Sequence, residues 1–207
     1  MEANRTVSGN SQRASGPGTR ESASLSDRAG PIRGLILDVD GVLTDGRLYY
    51  TAQGEGMKVF HVRDGSALRL WKALGGRVAI VSGRSSEAVV RRARELQVDL
   101  VIQGVTDKGA TLETVCGQLG LEAAAWCAVG DDWLDLPLLS RTGLAAAPAD
   151  AVAEVRQRVD YVTEAPGGQG VVHQVVEWLL RLQGRWETAW SLLAWPHAPP
   201  TLPQANG

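Results

Sequence analysis

Leu35-Ile36-Leu37-Asp38-Val39-Asp40-Gly41-Val42-Leu43-Thr44-Asp45 decides how this chain is read. Leu35-Ile36-Leu37 has the character of a buried strand, and two carboxylates two residues apart follow it at once. Asp and Gly after a strand often make a turn and nothing more. The pairing itself favours phosphoryl chemistry, because Asp38 is placed to attack phosphorus while Asp40 handles a proton.

Working outward, strand-like and helix-like runs alternate from Ile32 onward. Ile32–Leu37 reads as strand. Arg47–Tyr50 and Met57–Val62 flank Gln53-Gly54-Glu55-Gly56, a hairpin signature. Gly65–Leu74 reads as helix, stopped by Gly75-Gly76. Val78–Val81, Leu100–Ile102 and Ala125–Val129 read as strands, and Leu144–Ala147 and Tyr161–Thr163 as two more. Ser85–Leu96, Lys108–Leu119 and Val171–Leu182 read as helices, as does a segment running to Leu139. The pattern predicts an α/β fold: a Rossmann-like parallel sheet flanked by helices, with a β-hairpin insertion.

The ends differ in composition. Residues 1–31 are rich in Ser, Gly, Arg and Ala and nearly lack large apolar side chains, so they are expected to be disordered. Residues 32–183 form the expected domain. Residues 184–207 form a tail that carries Trp186, Trp190 and Trp195 before a proline-rich end. Tryptophans four apart mark one helical face. That face docks on its own domain or on another subunit, and both readings stand open.

Composition excludes several classes of function. The 207 residues carry a net charge of -2, which leaves no broad basic surface for nucleic acid. No apolar run approaches the roughly 18 residues of a membrane span. The two cysteines, Cys116 and Cys127, fit no metal-binding spacing and read as reduced, buried thiols. With no apolar signal core at the N-terminus, the expected location is cytoplasmic.

In a parallel α/β sheet, ligands bind beyond the carboxyl ends of the strands. Four strand ends here carry polar groups: Asp38 and Asp40; Ser82-Gly83-Arg84; Gln103 to Lys108; and Gly130-Asp131-Asp132 to Asp135. Alone, Ser82-Gly83 reads as a helix cap, Lys108 as a solvated lysine and Gly130-Asp131-Asp132 as a turn. Together they supply what phosphoryl transfer needs. The Ser82 hydroxyl and Gly83 amide donate to phosphate oxygens, and Lys108 neutralises charge. Asp38 and Asp131 offer hard oxygen ligands suited to Mg²⁺.

At these residues the chain resembles the haloacid dehalogenase superfamily of phosphatases. Asp38 to Gly46, the hairpin, His61-Val62-Arg63-Asp64-Gly65, Ser82-Gly83-Arg84, Gln103 to Lys108, and Gly167-Gly168-Gln169-Gly170 resemble its 3-deoxy-D-manno-octulosonate 8-phosphate (KDO 8-phosphate) phosphatase branch. The resemblance implies a Mg²⁺ site made from Asp38, the Asp40 carbonyl and Asp131. It implies substrate contacts from Asp40, His61, Arg63, Asp64, Gly65, Arg69, Arg84, Arg92 and Lys108. It also implies a homotetramer acting on a small sugar-acid phosphate in KDO and lipopolysaccharide biosynthesis. A substrate with two anionic groups calls for several guanidinium forks, although Arg69 and Arg92 also read as solvated helix surface. Gln169 and His61 stand where arginine and asparagine are common in the branch.

About forty residues separate Asp40 from Ser82, and about twenty separate Lys108 from Asp131, too few for a cap domain. Something else should cover the site, and the resemblance implies that hairpins and tails of neighbouring subunits do so. Three other readings compete. One is a nine-carbon, sialic-acid-like 9-phosphate as substrate. Another is a non-catalytic oligomerisation module, which the full catalytic set argues against. The last is a receiver domain, which lacks a counterpart of Asp40.

Overall fold

The structure is a computed structural model and describes residues 24–52 and 54–193. In chain order the elements are α1 (Leu25–Ala29), β1 (Gly34–Leu37), β2 (Tyr49–Thr51), β3 (Gly54–Met57), α2 (Val62–Ala73), β4 (Arg77–Val81), α3 (Glu87–Glu95) and β5 (Leu100–Ile102). They continue with α4 (Thr111–Leu119), β6 (Trp126–Val129), α5 (Leu136–Leu139), β7 (Leu144–Ala147), α6 (Ala153–Arg156), β8 (Tyr161–Val162), α7 (Val171–Leu182) and α8 (Trp186–Leu193).

Six strands make one parallel sheet in the order β5-β4-β1-β6-β7-β8, and β2 and β3 pair separately as an antiparallel hairpin. The chain runs outward from β1 through β4 to β5, then returns to β6 on the other side of β1. That reversal opens a crevice between the carboxyl ends of β1 and β6. Register places the ends level: Leu37 lies opposite both Ile80 and Val129.

Side chains alternate between two apolar layers, as a pleated strand requires. Leu35, Leu37, Val78, Ile80 and Val129 pack with Leu68 and Trp71 of α2, Val89 of α3 and Val172 and Leu179 of α7. Ile36, Ala79, Val81, Trp126 and Ala128 pack with Leu112 and Val115 of α4, Leu138 of α5 and Val155 of α6. With both faces covered, the strands read as continuous apolar runs rather than alternating ones. The hairpin differs, since all of β2 is exposed.

Several expectations need correction. The segment before residue 32 holds a formed helix. Ser24 and Asp27 close a capping box on α1, the Arg28 guanidinium grips both oxygens of Asp160 at 2.6 and 2.9 Å, and Ala29 is buried. Residues 1–23 lie outside the described residues. Gly54–Met57 is itself a strand, so the hairpin turns earlier than the glycine pair indicated. Helix α2 starts at Val62 because the His61 side chain accepts the Arg63 N–H and caps it. Helix α6 went unread because four residues carry too little periodicity. Cys127 is buried, but Cys116 is half-buried.

Helix α8 packs on α7, with Ala189 buried and Trp186 against the core. The Arg181 guanidinium lies 4.5 Å from the centre of the Trp186 ring. Trp186 therefore docks on its own domain while Trp190 stays largely exposed. Trp195 lies outside the described residues. No described helix is long and apolar enough to cross a membrane.

Candidate active site

The loop after β1 is a tight turn around one carbonyl. The Val39 oxygen accepts N–H groups of Val42, Leu43 and Thr44 at 3.3, 2.9 and 3.0 Å. Gly41 sits in this turn at φ +92°, a conformation that suits glycine. A Cβ there would meet the Asp131 carboxylate at 2.0 Å, so Gly41 also makes room for the second strand's acid. The expected glycine segment braces the turn from behind. Gly168 donates its N–H to the Val42 carbonyl at 3.0 Å, and a Cβ on Gly167 would fall 2.1 Å from the Gly41 oxygen.

Asp38, Lys108, Asp131 and Asp135 converge in the crevice. The Lys108 ammonium lies 2.8 Å from Asp38 and 2.6 Å from Asp135, and all three side chains are buried. Carboxylate oxygens of Asp38, Asp131 and Asp135 lie within 4.8 Å of one another. Asp135 is already saturated, because its other oxygen accepts the N–H groups of Asp131 and Asp132 at 3.0 and 3.1 Å. It thereby fixes the loop that carries Asp131. Sequence reasoning quoted Asp135 within its motif without giving it a task. Its spacing of four from Asp131 was the available signal.

Electrostatics define what this cluster can hold. Burial pushes the Asp38 carboxyl up to about 6, and the Asp135 charge adds to this against the pull of Lys108. Burial likewise pushes Asp131 up to about 8, with Asp38 and Asp135 adding to the shift. Burial alone would depress Lys108, but the Asp38 and Asp135 charges raise it above its usual value. Three carboxylates face one ammonium, and the buried Asp131 Oδ1 has no hydrogen-bond partner. A hard divalent cation fits this donor set, since oxygen ligands and excess negative charge are what such ions require.

The remaining predicted residues are placed as follows. Ser82 is buried at the end of β4, its N–H on the Ile102 carbonyl, and Gly83 beside it is exposed. Asp40 is half-buried and pairs with cations outside the carboxylate cluster. Its Oδ1 pairs with Lys58 at 2.5 Å, and its Oδ2 lies 4.0 Å from the Arg84 Nε. Arg84 also donates to the Tyr50 hydroxyl at 2.7 Å. Lys58 and Tyr50 are hairpin-side residues that sequence reasoning missed. A lysine between Met57 and Val59 was the signal for the first.

Beyond Asp40 lies an open cleft of about 690 Å³, lined by Lys58, Phe60, Ser86, Arg91 and Arg92 among others. Arg92 crosses Phe60 at 5.9 Å and passes close over Gly65 of α2. Asp64 turns elsewhere: it is buried, and its Oδ1 accepts the His173 N–H at 2.9 Å, capping α7, whose N-cap residue Gly170 has no side chain to do so. Burial raises the Asp64 carboxyl above the usual range. Arg63 is exposed on the first turn of α2. Arg69 lines a separate hollow with Lys72 and Gln97, so this chain does not bring it to Asp38.

Residues 97–175 match the haloacid dehalogenase-like hydrolase family. The chain is 38% identical over 154 residues to the 3-deoxy-D-manno-octulosonate 8-phosphate phosphatase of Haemophilus influenzae, covering 74% of this chain and 86% of that protein. With the enzyme of the same name from Escherichia coli it shares 39% over 168 residues, covering 81% and 89%. This chain belongs to the KDO 8-phosphate phosphatase family of haloacid dehalogenase-like hydrolases. Among solved structures, the family member from Moraxella catarrhalis in complex with magnesium, phosphate and KDO superimposes with a TM-score of 0.78 at 34% identity, covering 82% of this chain and 97% of that one. The cobalt-bound Haemophilus influenzae family member gives 0.77 at 36%, covering 81% and 99%. The capless α/β architecture is that of the family.

Proposed function

We propose that this chain hydrolyses 3-deoxy-D-manno-octulosonate 8-phosphate to KDO and phosphate, as a Mg²⁺-dependent phosphoric monoester hydrolase. The observation that carries the reading is the meeting of Asp38, Asp131 and Lys108 at one strand-end crevice. Asp38, Asp131 and the Asp40 main-chain carbonyl are the ligands we assign to Mg²⁺, which when bound neutralises charge on the phosphate and lets an anionic nucleophile approach it.

The chain's own residues do the rest. Asp38 attacks phosphorus and takes the phosphoryl group as an aspartyl-phosphate. Asp40 gives its proton to the departing sugar oxygen, then removes one from the water that releases phosphate. Lys108, held by Asp135, and the Ser82 hydroxyl with the Gly83 amide stabilise the equatorial oxygens. Arg92 lines the cleft beyond Asp40, where the sugar acid's carboxylate would lie, and Arg84, Arg63 and His61 are the further contacts we assign to the substrate.

Self-association as a homotetramer follows from the same reading. Tyr50, Met57, Val59 and Val62 leave an apolar surface around the hairpin, and Arg69 gains a role if a neighbouring copy brings substrate to it. The free thiols Cys116 and Cys127 fit the reducing cytoplasm.

The test is phosphate release by purified protein with Mg²⁺, comparing the KDO 8-phosphate with a nine-carbon, sialic-acid-like 9-phosphate. Higher kcat/KM on the first supports the proposal. Preference for the second reassigns the substrate, and turnover of neither removes the enzymatic reading.

A further inference from the structure

Lys58 is the least expected charge near the reaction. It follows β3 directly, its side chain is only 2% exposed, and its ammonium lies 2.5 Å from Asp40 Oδ1. Burying an ammonium costs several kcal/mol unless a partner and good geometry offset it. Here the partner is the acid–base carboxylate and not the phosphate-side cluster, which has its own lysine. The other Asp40 oxygen faces Arg84, itself tied to Tyr50 on the opposite hairpin strand. Both strands of the hairpin thus reach the same carboxylate, one directly and one through Arg84.

We propose that Lys58 is a positioning residue for the proton transfer: it fixes the Asp40 carboxyl where the leaving oxygen departs. The inference rests on the phosphatase reading above. In the step concerned, an Asp38 oxygen forms a bond to phosphorus, the bond from phosphorus to the sugar oxygen breaks, and the Asp40 proton passes to that oxygen. A misplaced Asp40 slows this step when the leaving group is an alkoxide. It slows it far less when the leaving group is p-nitrophenolate, which departs without a proton. The comparison belongs in kcat/KM, which covers only the steps through ester cleavage. The later hydrolysis of the aspartyl-phosphate needs Asp40 with either substrate.

The experiment measures kcat and KM for Lys58→Met, Lys58→Arg, Asp40→Asn and Lys58→Met/Asp40→Asn on the sugar phosphate and on p-nitrophenyl phosphate. Lys58→Met is expected to lower kcat/KM for the sugar phosphate by on the order of tenfold or more, chiefly through kcat, and markedly less for the aryl ester. Lys58→Arg should recover part of the loss, and the double variant should be no slower than Asp40→Asn. Equal losses on both esters, a loss carried by KM alone, or additive losses in the double variant would overturn the inference while leaving the phosphatase reading intact. A wild-type chain that hydrolyses neither ester overturns both. Thermal melting of Lys58→Met within a few degrees of wild type separates misplacement from misfolding.

Discussion

Two lysine–aspartate pairs divide this site. Lys108 bridges Asp38 and Asp135, all on loops that leave a six-stranded sheet, and all three are buried. Lys58 meets Asp40 from a hairpin that belongs to no larger sheet and whose β2 strand is wholly exposed. The first pair is set by strand register and by a core on both sides. The second depends on how the hairpin seats. On the mechanism proposed above, the phosphate half of the chemistry is thus built into the fold, while the leaving-group half is brought to it by an insertion. Such a division lets the sugar preference change without disturbing the machinery for phosphorus.

The largest effect should come from the sheet-borne half. Asp38→Asn is expected to abolish turnover of every phosphate ester, because it removes the nucleophile that the proposed mechanism assigns. Circular dichroism should show an unchanged fold, since the variant removes a buried charge. Residual turnover near wild type in a phosphate-release assay would break the division at its root.

A smaller effect is expected at Asp135. Asp135→Ala leaves the N–H groups of Asp131 and Asp132 without their acceptor and Lys108 with one carboxylate in place of two. A loss of about 2–4 kcal/mol in urea denaturation is expected, together with reduced activity. A neutral result in both would mean that Asp135 does not hold the loop.

The smallest effect on the activity of the metal-loaded protein concerns pH, and it is read in stability without metal. Burial raises Asp131 to about 8 and Asp38 to about 6 from an ordinary value near 4. The folded chain then holds protons that the unfolded chain has released, so folding stability falls as pH rises from about 4 to 8. With EDTA present, the melting temperature should be lower at pH 8 than at pH 5. Adding Mg²⁺ at pH 8 should restore it, and Asp131→Asn should flatten the slope. A melting temperature that is level across this range in EDTA would show that the sheet-borne half is not electrostatically strained.

The same division explains what the sequence revealed. Asp38, Ser82, Lys108 and Asp131 were legible because each follows an apolar strand, and parallel sheets collect such residues at one edge. Asp135 was visible as a motif member, but its bonds to the Asp131 and Asp132 amides are a matter of three-dimensional turn geometry. Lys58 was hidden because its partner lies across the seat of the hairpin, which no local pattern encodes. Asp64 entered only through the family resemblance, and the partner of its Oδ1, the start of a helix 109 residues away, lies beyond any local pattern. The capped helix at Leu25–Ala29 escaped notice because five residues in a Ser-rich context outweigh neither composition nor length.

The contact of Gly167 with the Gly41 oxygen ties the last third of the polypeptide to the first acid-bearing turn. A ribosome would have made the nucleophile long before the piece that braces it. During synthesis the reactive loop stays unsupported until residues beyond 167 emerge, so catalytic competence is acquired late. Any fragment ending upstream of that point also lacks α7 and with it part of one core layer.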